Sequence, residues 1–412
     1  MVANVRTIAD LLKKDLRDRF VLLRVDLNVP MAGGKVADTT RIERLTTTIR
    51  ALLAVQAKVV VISHFGRPDG RFDHELSLAP LADALGDALG GIEVLFGVDC
   101  VGSSALSACE RMESGDVLLL ENLRFHAGEE ANDPAFAAAL AELGDFYVND
   151  AFSCSHRAHA SIVGIAELLP SFAGHLLASE LEHLEAALDT PEHPLAAIVG
   201  GSKVSTKIEL LEHLATKVDY LMVGGGMANT FLYAMGKDVG KSLCEKNYKD
   251  TALRILEAAR REGCEVLLPL DAIAAKTLEE GAACRVVSVE DAPQDTMMLD
   301  IGPETVEYWG KVLADCRTLV WNGPVGAYEF SPFDVGSISL ARVISRLTER
   351  GSLQSIAGGG DVLAALGRAG LQDTLTYIST AGGAFLEWLE GKELPGVKVL
   401  QETAENKKKS VA

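Results

Sequence analysis

The residues of this chain best suited to chemistry fall into two sets. The first is a group of arginines, Arg41, Arg67, Arg124 and Arg157, accompanied by His64. A guanidinium is a planar fork of N–H donors that grips phosphate or carboxylate at two points, so several forks together suit a small, strongly anionic metabolite. The second set lies in residues 198–207, IVGGSKVSTK, where an apolar run, a glycine pair and two lysines four apart read as a strand, a tight loop and a helix start. Gly200 and Gly201 leave room for a bulky ligand, the first helical turn offers free N–H groups to an anion, and Lys203 and Lys207 would share one helix face. Walker A spacing cannot be laid over these residues. The choice at this level lies between a phosphate site of another kind and a plain turn with two solvated lysines.

Such residues need a scaffold that brings them together. Short apolar runs bounded by Gly, Asp or Pro alternate with longer Ala-, Leu- and Glu-rich segments, which is the pattern of a parallel sheet wrapped by helices. The fold class is therefore α/β, and the length suggests two or three domains. In the first half the runs are 20–25, 58–62, 92–96, 116–120 and 146–148, and several end in polar residues: DLN from Asp26, SHFGR from Ser63, ENLR from Glu121 and NDAF from Asn149. Ligands of open α/β sheets bind beyond the carboxyl ends of the strands, so these groups should converge on one crevice. A helical spacing of Leu176, Leu177, Leu181, Leu184 and Leu188 places an interdomain helix at 171–190. Domains of 1–170 and 191–393 flank it. Strands of the second half end in glycines instead, in VGGSK, LMVGGGM, VWNGPVG, IAGGGD and ISTAGG. Flat backbone suits a nucleotide, and Asp361, directly after Gly358, Gly359 and Gly360, could offer a carboxylate to magnesium carried by the phosphates or simply cap the segment VLAALGRAG.

Composition narrows the field. A chain of 412 residues that is 48% hydrophobic can bury large cores. A net charge of −19 argues against a nucleic-acid or anionic-membrane binder, because those need a basic face. The 7 cysteines form no C-x-x-C pair and suit a reducing compartment without a disulfide framework or a zinc motif. With no signal-peptide stretch at the start and no membrane-length apolar run, a cytoplasmic location is expected.

Longer motifs carry a resemblance. RVDLNVP from Arg24, SHFGRP from Ser63, LLLENLRFHAGEEANDP from Leu118, NDAFSCSHRAHAS from Asn149, GGSKVSTK, GGGMANTF, LDIGP, WNGPVGAYEF, GGGD and GGAFLEWLEGKELPG together resemble the phosphoglycerate kinase family, in order, from about residue 5 to about 400. The resemblance implies a hinged kinase, two Rossmann-like parallel-sheet domains joined by a helical hinge, that moves a phosphoryl group between 1,3-bisphosphoglycerate and ADP, giving 3-phosphoglycerate and ATP with magnesium. A monomer is expected. It places Asp26, Asn28, His64, Arg67, Arg124 and Arg157, with Phe65 and Gly66 of the same SHFGR run, on the phosphoglycerate. Arg41 and Lys203, with Lys207, would act on the phosphoryl group in flight. Gly200, Gly201, Lys207, Asn322, Pro324, Glu329, Gly358, Gly359, Gly360, Asp361 and Val362 would serve the nucleotide, Asp361 near the metal. The tail, 394–412, would pack back on the first domain, and closure about 171–190 would bring the two ligands together. The acceptor in the ATP-consuming direction is a carboxylate, ionised at neutral pH, so no general base is needed.

The chain departs from the family pattern at Phe65, at Ser153 to Ser155, at Ala381 and at Val362. Cys154 beside Arg157 reads as a packed small residue or as a point of oxidation sensitivity. Ala381 should restrict a loop that glycine would leave free. Val362 stands where a hydroxyl is usual, so Val362→Thr is expected to tighten nucleotide binding roughly 3- to 10-fold. Two rival readings are a hinged anion-binding protein without turnover and a nicotinamide-dependent dehydrogenase. The first should have lost Arg41, Lys203, Lys207 or Asp361, all present, and the second needs a G-x-G-x-x-G after a strand, which is not found.

Overall fold

The computed structural model describes residues 5–411, with side chains to Thr403. The final residue of the expected tail segment, Ala412, lies outside them, as do residues 1–4 of the first expected domain. The chain divides into two compact units, one comprising Met1–Glu182 with Glu393–Ala412 and the other His183–Lys392.

Each unit is built on a parallel sheet of six strands. In the first they are β1 (Phe20–Arg24), β2 (Lys58–Ile62), β3 (Val94–Gly97), β4 (Val117–Leu120), β5 (Phe146–Asn149) and β6 (Ser171–Ala173), laid side by side as β3-β4-β2-β1-β5-β6. Their central runs, such as VLLR and VVVI, are buried along their whole length. Both faces are covered by helices, so these strands read as continuous apolar runs without alternation. Leu23, Val59, Val61, Leu119, Val148 and Phe172 form the heart of this core.

The second unit repeats the plan with β7 (Leu195–Val199), β8 (Tyr220–Val223), β9 (Glu265–Leu267), β13 (Thr318–Asn322), β14 (Gln354–Gly358) and β15 (Tyr377–Ser379), ordered β9-β8-β7-β13-β14-β15. Trp309 and Trp321, both fully buried, anchor its core with Ile198 and Leu319. A three-stranded antiparallel sheet of Asp271–Ala275 (β10), Cys284–Ser288 (β11) and Met297–Ile301 (β12) is added.

The strand order reverses beside β1 in one sheet and beside β7 in the other, and such switch points open a crevice at the carboxyl edge. Register makes the edges level: Arg24 pairs with Ile62 and Asn149, and Asn322 pairs with Val199 and Gly358. The helix His175–Leu188 crosses from one unit's residues to the other's. Its first turn is capped by Asp150, whose Oδ1 accepts from the N–H groups of Leu176 at 2.8 Å and Leu177 at 3.0 Å. The C-terminal helix Pro395–Val411 packs on β6 and on the segment Ala160–Gly164, with the N–H of Gly396 donating to the carbonyl of Ser155 at 2.9 Å.

Candidate functional site

In the first unit the polar residues after β1, β2, β4 and β5 do converge. The Asp26 carboxylate is the hub: Arg41 Nη1 donates to Oδ2 at 3.0 Å, the Ser153 hydroxyl to the same oxygen at 2.6 Å, and the Asn28 N–H to Oδ1 at 2.9 Å. Arg41 also donates to the Asn28 carbonyl at 2.8 Å, and the Asn28 side chain accepts the Gly66 N–H at 3.1 Å. Arg124, largely buried, donates to the Gly66 carbonyl at 2.7 Å and pairs with Glu130 at 3.1 Å. Arg67 and Arg157 are exposed and stand at the ends of the same loops. Burial alone would raise the Asp26 carboxyl, but Arg41, the Ser153 hydroxyl and the Asn28 amide outweigh it and hold the group below its usual range. Asp26 is therefore a fixed anion that orients a cation.

His64 is buried beside Arg24, whose Nη2 lies 3.2 Å from its Nδ1. Burial first, and then the Arg24 charge, push the His64 imidazolium down to about 2, so the ring is neutral at physiological pH. Cys154, also buried, sits 3.6 Å from Arg24 and 4.0 Å from His64, and burial raises its thiol. It is a packed residue rather than a reactive one.

In the second unit the edge of β7, β13 and β14 is tied together by one cation. Lys207 Nζ donates to the Gly200 carbonyl at 2.7 Å, to the Asn322 side-chain oxygen at 2.6 Å and to the Asn322 carbonyl at 3.3 Å. Asn322 in turn donates to the Gly358 carbonyl at 3.2 Å. Burial lowers the Lys207 ammonium to about 8, against the attraction of Asp361 and Glu390. Asp361 begins the helix Gly360–Ala369 with its carboxylate exposed, and the Tyr328 hydroxyl lies 3.4 Å from its Oδ1. Glu329 is exposed, and its carbonyl accepts from Arg368.

Several expectations change. Lys203 and Lys207 do not share a helix face: Val204–Thr206 is a 3₁₀ turn, the α-helix starts at Ile208, and Lys203 is exposed while Lys207 is half-buried. Gly200 is small for the sake of the protein, because a Cβ there would lie 1.9 Å from the Pro324 carbonyl oxygen. Gly360, by contrast, faces open space at this edge, since a Cβ there would meet nothing within 4 Å. The Val362 side chain is fully buried in the core with Leu366, so it cannot face a ligand and only its backbone is available. Phe65 is likewise a core residue, held by paired hydrogen bonds with Asn122. Ala381 has φ −90°, a conformation open to any residue, so no loop is restricted there. Sequence reasoning missed Arg24, Ser153 and Glu130, although all three lie within motifs already singled out.

Comparison with known proteins agrees with this layout. The family model "PGK: Phosphoglycerate kinase" matches residues 8–392. The chain is 54% identical over 400 residues to the phosphoglycerate kinase of Methylorubrum extorquens strain PA1, covering 97% of this chain and 99% of that one. It is 56% identical over 387 residues to that of Granulibacter bethesdensis, covering 94% and 98%. The solved phosphoglycerate kinase structure from Coxiella burnetii superposes with a TM-score of 0.89 at 42% identity, covering 97% of this chain and 100% of that one. Fold and strand-end sites thus define an α/β phosphotransferase built on two parallel sheets. Within that class, the chain belongs to the phosphoglycerate kinase family.

Proposed function

We propose that this chain carries out the glycolytic kinase reaction of its family, reversible transfer of a phosphoryl group from 1,3-bisphosphoglycerate to ADP, with the labour divided between the two strand edges. The observation that carries this is the Asp26-centred cradle of the first unit, in which Arg41 and Arg124 are already oriented by protein acceptors. With Arg67, Arg157 and Asn28 it receives the anionic phosphoglycerate, and neutral His64 adds a hydrogen-bond donor without adding charge. Preorganised donors lose little entropy when the ligand arrives. At the second edge Gly201, Gly359 and Gly360 admit the nucleotide, and Lys207, Asn322 and Glu329 bound it.

Because the acceptor carboxylate is ionised, the chain needs no proton-removing base, and Arg41 with Lys203 stabilises charge that spreads over the moving phosphoryl group. Asp361 fits a magnesium ligand: magnesium in nucleotide sites is held by one or two carboxylates plus phosphate oxygens, and this carboxylate is exposed beside a glycine-opened helix start. The ion neutralises phosphate charge when bound. Among the described residues no helix is long and apolar enough to cross a membrane. We place the protein in the cytoplasm as a monomer, with no nucleic-acid partner, on the strength of its net charge of −19 and its substrates. A coupled assay with 3-phosphoglycerate, ATP and magnesium tests the reading. Saturable binding of both substrates without turnover would instead support the rival, a hinged binding protein.

A further inference from the structure

Beside the substrate cradle, but outside it, three chemically different ligand groups meet. Asp99 and Cys100 follow β3, and His126 follows the turn after β4; because these strands are neighbours in the sheet, their ends lie together. One carboxylate oxygen of Asp99, Sγ of Cys100 and a ring nitrogen of His126 all lie within 4.8 Å of one another. His126 Nε2 is 2.7 Å from Asp99 Oδ1, and the Cys100 N–H donates to that same oxygen at 2.7 Å, which holds the carboxylate in place. The His126 ring is further fixed by stacking on Phe136 at 5.1 Å. Nothing in the phosphoryl-transfer chemistry uses these groups.

We propose that Asp99, Cys100 and His126 form a binding site for one zinc-class divalent transition metal, distinct from the magnesium at the nucleotide. Ligand atoms around a tetrahedral zinc ion, at about 2.0–2.3 Å from it, stand roughly 3.3–3.6 Å apart. The Asp99–His126 pair must open by less than about 1 Å to reach that spacing, which side-chain rotation supplies. Mixed sulfur, nitrogen and oxygen donors favour zinc or cobalt and reject magnesium, which wants oxygen alone. Asp99 and His126 side chains are 40% and 33% exposed while Cys100 is buried behind them, so the ion enters from solvent and keeps water as a fourth ligand. Burial and then the Asp99 charge hold the Cys100 thiol well above its usual value in the metal-free protein, so its proton passes to solvent only as the S–metal bond forms, while the Nε2 proton of His126 shifts to Nδ1 as Nε2 takes the metal. His126 is two residues from Arg124, so the ion would also stiffen the segment that carries a substrate arginine.

The test is a cobalt titration of the metal-free full-length protein. We expect a thiolate-to-cobalt charge-transfer band in the near ultraviolet that saturates at one ion per chain, is bleached by zinc in competition with a chromophoric chelator, and is untouched by excess magnesium. Cys100→Ser should abolish the band, and His126→Gln, which removes a ligand, should weaken cobalt binding by at least the roughly 10- to 100-fold that losing a residue behind a ligand costs. Cys284→Ser, which removes an exposed thiol, should change nothing. His126 is only partly buried, so its variant remains informative if the Cys100 variant folds poorly. A wild-type protein with no band at about millimolar cobalt, a band that survives Cys100→Ser, or wild-type affinity in His126→Gln would each overturn the proposal.

Discussion

Arg24 Nη2 lies 3.2 Å from His64 Nδ1, and this single contact sets the tautomer of the histidine. A guanidinium can only donate, so Nδ1 accepts and the ring proton sits on Nε2. With the imidazolium driven down to about 2, the ring should hold this form throughout the range in which enzymes work. Nitrogen-15 NMR of the labelled protein should show Nε2–H for His64 from pH 5 to pH 8 with no titration. A transition near pH 6.5 assigned to His64 would contradict the buried pairing.

Arg41 is held by Asp26 in advance of any ligand. Charges that meet the phosphoryl group mainly in the transition state act on turnover, so Arg41→Ala and Lys203→Ala should each lower kcat by about 10²- to 10⁴-fold with a smaller rise in KM. Steady-state kinetics separate the two effects. A raised KM at full kcat would reduce both residues to binding roles.

Lys207 loses its charge as pH rises through about 8 in the free protein. ADP affinity, measured by calorimetry, should therefore weaken by about tenfold for each unit of pH well above that point, since one bound cation is lost. Lys207→Met should bind weakly and show no such slope. Persistence of the slope in the variant would assign it to another group.

Asp150 caps the helix His175–Leu188, yet burial pushes its carboxyl up to about 6. A raised carboxyl pKa means that the folded state holds a proton the unfolded chain has lost between roughly pH 4 and 6, so this group's contribution to stability falls as pH rises through that window. Asp150→Asn removes the dependence. Relative to wild type, the variant should gain about 2 kcal/mol on moving from pH 4.5 to 7.5, from 1.36 kcal/mol per pKa unit. Urea unfolding should be followed by circular dichroism, because Trp309, Trp321 and Trp388 all lie in the second unit. Parallel pH curves for the two proteins would refute it.

Val362 lies wholly within the second core, which reverses the sequence-based expectation for Val362→Thr. The new hydroxyl would be buried among apolar side chains and should cost about 1–2 kcal/mol of stability. ADP affinity should stay unchanged. Tighter nucleotide binding at unchanged stability would show that the side chain reaches the ligand after all.

Much of this protein is legible in one dimension, because strand-end chemistry is local. Apolar runs such as VVVI and LAAIV declare buried parallel strands, the polar or glycine residues that follow them declare the edge at which ligands bind, and the motif order declares the family. What the linear chain cannot declare is which neighbour each side chain receives. Gly200 answers to Pro324, Asp26 to Ser153 at a separation of 127 residues, and Asp99 to His126 at 27. Those pairings depend on strand order and register, which bring distant strand ends level. The same is true of burial: Val362 and Asp361 are adjacent in sequence, but a helix start turns one into the core and the other to solvent. Residue type set the chemistry that was possible, and the close packing around each sheet decided which groups were free to perform it.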